Sequence, residues 1–127
     1  MYKKFLKTSI ILLFVSLLFS MGCREVVYDI TGEWDFDIAM NDGNTMSDTY
    51  SFVGSIQAGD VYYKGQRLGT YSVMDRDINF TITYYDEDND YTVETFSGYF
   101  DDQYSMSGTY TLFIDGYGTF AGNWTAQ

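Results

Sequence analysis

The chain has 127 residues, 18 acidic against seven basic for a net charge of −11, with no histidine, no proline and a single cysteine. A chain so acidic repels phosphate backbones and has no basic stripe to track one, which excludes nucleic acid as a partner. Without histidine no Ser-His-Asp or Cys-His arrangement can be assembled, and one cysteine makes neither an internal disulfide nor a thiolate zinc cluster. Aromatic residues form 20% of the chain, so its acidity comes with enough ring surface to bury, and a folded domain is expected rather than disorder.

Lys3, Lys4 and Lys7 precede an apolar run over residues 10–19 that only Ser16 interrupts, which is the layout of a secretory signal-peptide helix. Ser20-Met21-Gly22 then leads into Cys23. Small residues ahead of a sole cysteine, at the end of such a run, resemble a bacterial lipobox, with Ser20 where that family usually carries Leu. The resemblance implies cleavage by signal peptidase II and a lipidated, palmitate-bearing Cys23 as the new N-terminus. It also implies an outer-membrane destination in a Gram-negative envelope, because Arg24 rather than the retention Asp follows the cysteine. Two other readings stand beside it: an ordinary signal peptide cut near Gly22, and an uncleaved anchor, whose apolar run is roughly half the ~20 residues that a spanning helix needs.

Residues 1–22 are therefore read as a lipoprotein signal, 23–30 as the lipidated cysteine with a short tether, and 31–127 as one domain. Removing the signal leaves 105 residues, in which Arg24, Lys64, Arg67 and Arg76 face all 18 acids at a net charge of −14.

From Thr31 onward the dominant period is two, the signature of strands with one buried face. The first strand is the clearest, with Trp34, Phe36 and Ile38 on one face and Glu33, Asp35 and Asp37 on the other. After a turn at residues 41–44, Tyr50, Phe52 and Ile56 are expected to share the inner face of a second strand. Ala58-Gly59-Asp60 is expected to turn into a short third strand over residues 61–64, and residues 65–69 to turn again into a fourth that aligns Tyr71 with Val73. Asp75-Arg76-Asp77 reverses the chain into strand five, where Ile78, Phe80, Ile82 and Tyr84 alternate strictly with polar positions. An acidic tip at residues 86–90 leads to strand six, residues 91–100. Its phase is split, Tyr91 and Val93 on one parity and Phe96 and Phe100 on the other, so a bulge is expected near Glu94-Thr95. Strands seven (104–114) and eight (117–126) follow around the turn at Asp115-Gly116.

Eight short strands joined by tight turns predict an all-β, antiparallel up-and-down meander, closed into a barrel to remove its edges. Glycine recurs between apolar neighbours at Gly54, Gly98, Gly108 and Gly122, as tight curvature under large rings requires. Thr31-Gly32-Glu33-Trp34 resembles the Gly-x-Trp opening of lipocalins and related small barrels, and the ending Gly122-Asn123-Trp124 is similar to the last strands of avidin-like and bacterial lipocalin-like domains. No basic residue between positions 117 and 127 can pack on Trp34 as lipocalins have it, and there is no room for their C-terminal helix. The resemblance thus implies a lipocalin-like barrel, with a deep ligand calyx disfavoured.

Three constellations bear on possible chemistry. Asp86, Asp88 and Asp90 copy the opening of a calcium loop, but Tyr91 stands where the sharp turn needs Gly and Ser97 where a bidentate Glu is needed, so a plain turn is the better reading. Glu33, Asp35 and Asp37 fall on the outer face, where nothing would shift a pKa for glycoside chemistry, and no enzymatic activity or cofactor is expected. Trp34, Tyr50, Tyr63, Tyr71, Tyr84, Tyr110 and Trp124 are expected to point inward, as a filled core in preference to a seat for a small hydrophobic or sugar ligand. The expected function is that of an outer-membrane-anchored, non-enzymatic binding or interaction module. The alternatives are a secreted or periplasmic protease inhibitor whose inserting arm is residues 24–30, and a transmembrane barrel with its aromatic face turned to lipid.

Overall fold

The computed structural model describes residues 26–127; the signal segment, the cleavage site and Cys23 lie outside the described residues. Eight strands, β1 (Gly32–Met40), β2 (Thr45–Gly54), β3 (Ala58–Tyr63), β4 (Gln66–Met74), β5 (Asp77–Tyr85), β6 (Tyr91–Asp102), β7 (Ser105–Ile114) and β8 (Gly118–Ala126), pair antiparallel in sequence order. β8 returns to β1, with Ile38 opposite Trp124, so the sheet closes into the expected up-and-down barrel. No strand edge is left unpaired, which removes the template on which open sheets aggregate.

The alternation of β1 survives intact: Trp34, Phe36 and Ile38 are buried while Glu33, Asp35 and Asp37 face solvent. Two of those acids accept cross-strand hydrogen bonds on the outer wall, Asp37 from Ser47 Oγ at 2.7 Å and Asp35 from Thr49 Oγ1 at 2.7 Å. The large rings of the core thus lie inside the barrel and the β1 carboxylates outside it.

The core is a stack of rings. Phe80 and Phe96, direct partners across β5 and β6, lie parallel with centroids 4.2 Å apart. Phe36 meets Tyr50, Phe80, Phe96 and Trp124 at 5.1–5.6 Å, mostly edge to face, as ring quadrupoles favour. An interior of eight strands is only wide enough for such side chains, and here they fill its middle.

Several boundaries differ from expectation. Ala58, Gly59 and Asp60 belong to β3, and the turn falls at residues 55–57, leaving Ile56 outside the barrel and exposed. β4 begins at Gln66, the turn being only Lys64-Gly65. In both places the glycines that look like turn residues are strand residues in close packing: a Cβ at Gly59 would lie 2.7 Å from the Tyr71 hydroxyl, and one at Gly69 would strike the Thr81 carbonyl oxygen. β6 has no bulge at Glu94-Thr95; its irregularity lies between Phe100 and Asp102. Thr92 and Glu94 therefore share the inner parity of Phe96 and Phe100, while Tyr91 and Val93 face outward.

The barrel has two unlike ends. At the base, Ile30 is fully buried, Trp34 Nε1 donates to its carbonyl at 2.8 Å, and Tyr28 packs on Phe100 at 5.2 Å. Arg76 covers this plug, lying over the Tyr28 ring at 5.3 Å and donating to the Phe100 and Asp101 carbonyls. Ile30 and half-buried Tyr28 are thus part of the packed base, while Val26 and Val27 before them are exposed. The other end is ringed by the turns at 41–44, 64–65, 86–90 and 115–117, and half-buried Met40, Met46, Leu68 and Leu112 pack against the core there.

Candidate functional site

At the open end the inward positions change from hydrocarbon to a mixture of phenols and acids. β6 brings Glu94 in at the level just above Phe96, β7 supplies Tyr110, β5 Tyr84, β2 Tyr50 and Asp48, and β3 Tyr63. Glu94 is 5% exposed. Its carboxylate accepts one hydrogen bond from the Tyr110 hydroxyl and a further one from Tyr84. Tyr63 donates to Asp48 Oδ1 at 3.0 Å, forming a second phenol-carboxylate pair in the same mouth. Tyr50 stands between the two, tilted against Tyr63 at 5.5 Å and edge-on to Phe96 at 5.6 Å. Half-buried Met40, Met46, Leu68 and Leu112 complete the rim.

The field inside this mouth is negative. Burial raises the Glu94 carboxyl above its ordinary 4.5; the hydrogen bonds from Tyr110 and Tyr84 oppose the rise, and the nearby charge of Asp48 adds to it. Burial and then the charge of Glu94 push the Tyr50, Tyr84 and Tyr110 hydroxyls upward, so all three remain neutral donors. Among the described residues the one ion pair is Arg67 with Asp60, 2.9 Å apart and partly exposed, so no cation neutralises Glu94.

All seven aromatic residues expected to point inward do so, but they are not one site. Tyr50, Tyr63, Tyr84 and Tyr110 meet in the mouth. Trp124 lies in the filled middle, its Nε1 donating to the Thr109 carbonyl at 2.9 Å. Trp34 and Tyr71 serve the base, where the Tyr71 hydroxyl donates to the Ser55 carbonyl at 2.6 Å. Glu94 escapes a reading of the sequence because a carboxylate at an inner position looks like a break in phase. The signal that could have found it is parity: Thr92, Glu94, Phe96 and Phe100 are all even.

The ligand atoms of Asp86, Asp88 and Asp90 lie within 4.8 Å of one another on the rim. Asp86 Oδ1 already accepts the backbone N–H groups of Asp88 and Asp90, at 3.0 and 2.9 Å, as turn-forming aspartates do. Desolvation first, and then the charges of Asp86, Asp88 and Asp115, raise the Asp90 carboxyl.

No family model matches the chain, and no curated protein does. Solved structures of small barrels do. EF1p2_mFAP2b bound to DFHBI superposes with a TM-score of 0.63 at 18% identity, covering 77% of this chain and 92% of that one. A redesigned β-barrel gives 0.59 at 18% identity over 77% and 90% of the two chains, and the redesigned barrel mFAP1 bound to DFHBI gives 0.58 at 17% over 77% and 94%. At such identities the likeness is one of fold.

Proposed function

We propose that the protein is a lipid-anchored envelope protein of the outer membrane whose barrel is a non-enzymatic binding module, with its ligand seated in the open mouth. The observation that carries the binding assignment is Glu94: a carboxylate held inside the barrel and ringed by phenols, above a core too full for a deep ligand. Two of the similar barrels are described as bound to DFHBI, a small molecule, which agrees with a barrel of this size offering a seat.

Support for anchoring comes from the lipobox-like approach to Cys23 and from the direction of the chain. Residue 26 stands at the base, beside exposed Ile56, Met74 and Tyr104, so a lipid on Cys23 would hold the base to the bilayer and turn the mouth away. Replacing Cys23 with Ser is expected to move the protein from the membrane to the soluble fraction; retention in the membrane would contradict the lipid anchor. For the seat, NMR shift mapping with indole and methyl glucoside as probes is expected to perturb Tyr50, Tyr63, Tyr84 and Tyr110. Shifts confined to the outer wall would contradict it.

A further inference from the structure

We propose that two copies of this chain associate face to face through the outer wall of β5–β8, an uncharged, threonine-rich surface that is complementary to itself. The inference depends neither on the mouth nor on the lipid anchor.

At a net charge of −11, two copies repel unless they meet where the acids are absent. Acids crowd the turns at both ends of the barrel, at 86–90 and 115 around the mouth and at 75, 77, 101 and 102 around the base. On the wall, β1 presents Glu33, Asp35 and Asp37, and β3 and β4 present the Asp60–Arg67 pair. The β2 hydroxyls are drawn to the β1 acids, Ser47 and Thr49 donating to Asp37 and Asp35. By contrast, the outward positions of β5–β8, from 79 to 85, 91 to 99, 107 to 113 and 119 to 125, hold no charged side chain. The ladder sets them in rows: Thr81, Thr95 and Thr111 lie side by side across β5, β6 and β7, with Thr83, Val93 and Phe113 in the row above. Higher still, the exposed rings of Tyr85 and Tyr91 meet at 5.7 Å. A hydroxyl both donates and accepts, so a face of threonines can hydrogen-bond to its own copy, which a face of carboxylates cannot do. Self-complementarity of this kind is what a two-fold interface requires. Because the sheet is closed, no strand edge can extend into a second copy, and contact has to be wall to wall. Four strands at ~4.8 Å spacing, with spans of about seven residues at ~3.4 Å each, give roughly 450 Å² in plan. That is below the ~800 Å² per partner of a standard interface, so the dimer is weak and reversible.

The test follows the full chain by sedimentation equilibrium in density-matched mild detergent, kept reduced so that Cys23 cannot link two copies. A concentration-dependent dimer is expected. Raising the salt from about 0.05 to 0.5 M should tighten it several-fold, because the interface holds no ion pair and screening removes the repulsion between the acids around it. Thr111→Glu and Thr111→Lys should each weaken the dimer about tenfold or more, the lysine even though it lowers the net negative charge, since either one places a charge in a face that has no partner for it. Thr95→Glu repeats the test on the neighbouring strand. Thr111→Ser, which keeps the hydroxyl, and Thr45→Glu, on the β2 wall, should leave the dimer intact. Single chains at every concentration and salt would overturn the proposal. So would a dimer that salt loosens, or one that the charges at Thr95 and Thr111 leave unchanged.

Discussion

Gly98→Ala is expected to destabilise the barrel by about 3 kcal/mol or more, at or beyond the upper end of overpacking costs, as measured by urea denaturation. Backbone propensity alone gives the opposite sign, since replacing a strand glycine with alanine ordinarily gains roughly 0.5–1 kcal/mol. Sterics decide. Gly98 faces Gly108 across the β6–β7 ladder, and a Cβ there would strike the Ser107 carbonyl oxygen and lie 2.6 Å from the Trp124 ring. The Ser107 oxygen and the Gly108 Cα, 2.8 Å away, are sheet backbone and cannot yield. The paired glycines are the opening through which Trp124 lies flat in the core, so the recurring apolar-Gly-apolar pattern is a record of ring packing. An unchanged or raised midpoint would mean that the sheet is not closed as described.

Phe96→Ala is expected to cost about 3–5 kcal/mol, a large part of the 5–15 kcal/mol that domains of this kind usually possess. Phe96 is 0% exposed and touches its ladder partners Phe80 and Tyr110 and, from three further strands, Phe36, Tyr50 and Trp124. A barrel wall closed by hydrogen bonds on every side cannot collapse into the space left, so the cavity persists. Tyr104→Ala, at a turn where the side chain is 79% exposed, should fall within about 0.5 kcal/mol of the parent. Loss of the floor beneath Glu94 should also loosen the mouth, linking this core position to binding.

Particular residues explain how far the sequence reaches. In β1 and β5 the inner positions from Trp34 to Ile38 and from Ile78 to Ile82 are apolar and the outer ones between them polar, so strand, face and register are all written in the alternation. Closure was legible from regular turn spacing and from acids gathered on one face. The turns flanking β3 were not, because Gly59 and Gly69 are there to make room for Tyr71 and for the Thr81 backbone, a need that arises only between strands distant in sequence. In β6, Thr92 and Glu94 break the apolar pattern at inner positions, and a pattern-based reading treats such a break as irregular backbone. Local rules tend to fail where a fold has set aside stability for a site, and the mouth is the part of this barrel where they fail. The four tyrosines were visible as inward-facing residues, but their separation from Trp34, Tyr71 and Trp124 depends on height in the barrel, which the shear of the ladder determines.

The account stands on a carboxyl group held inside the mouth, and the titration of Glu94 itself, followed by carboxyl-carbon NMR, tests that most directly. A folded-state pKa raised above the unfolded value means that the protein favours the protonated form. The stability so contributed is full below pH 4.5 and is lost as pH climbs through the raised value, and Glu94→Gln should lack this slope. The expected result is a Glu94 resonance titrating clearly above 4.5, accompanied by shifts of Tyr84 and Tyr110 at the same pH. A Glu94 that titrates at or below 4.5, with those tyrosines unmoved, would place the carboxylate in water and contradict the site.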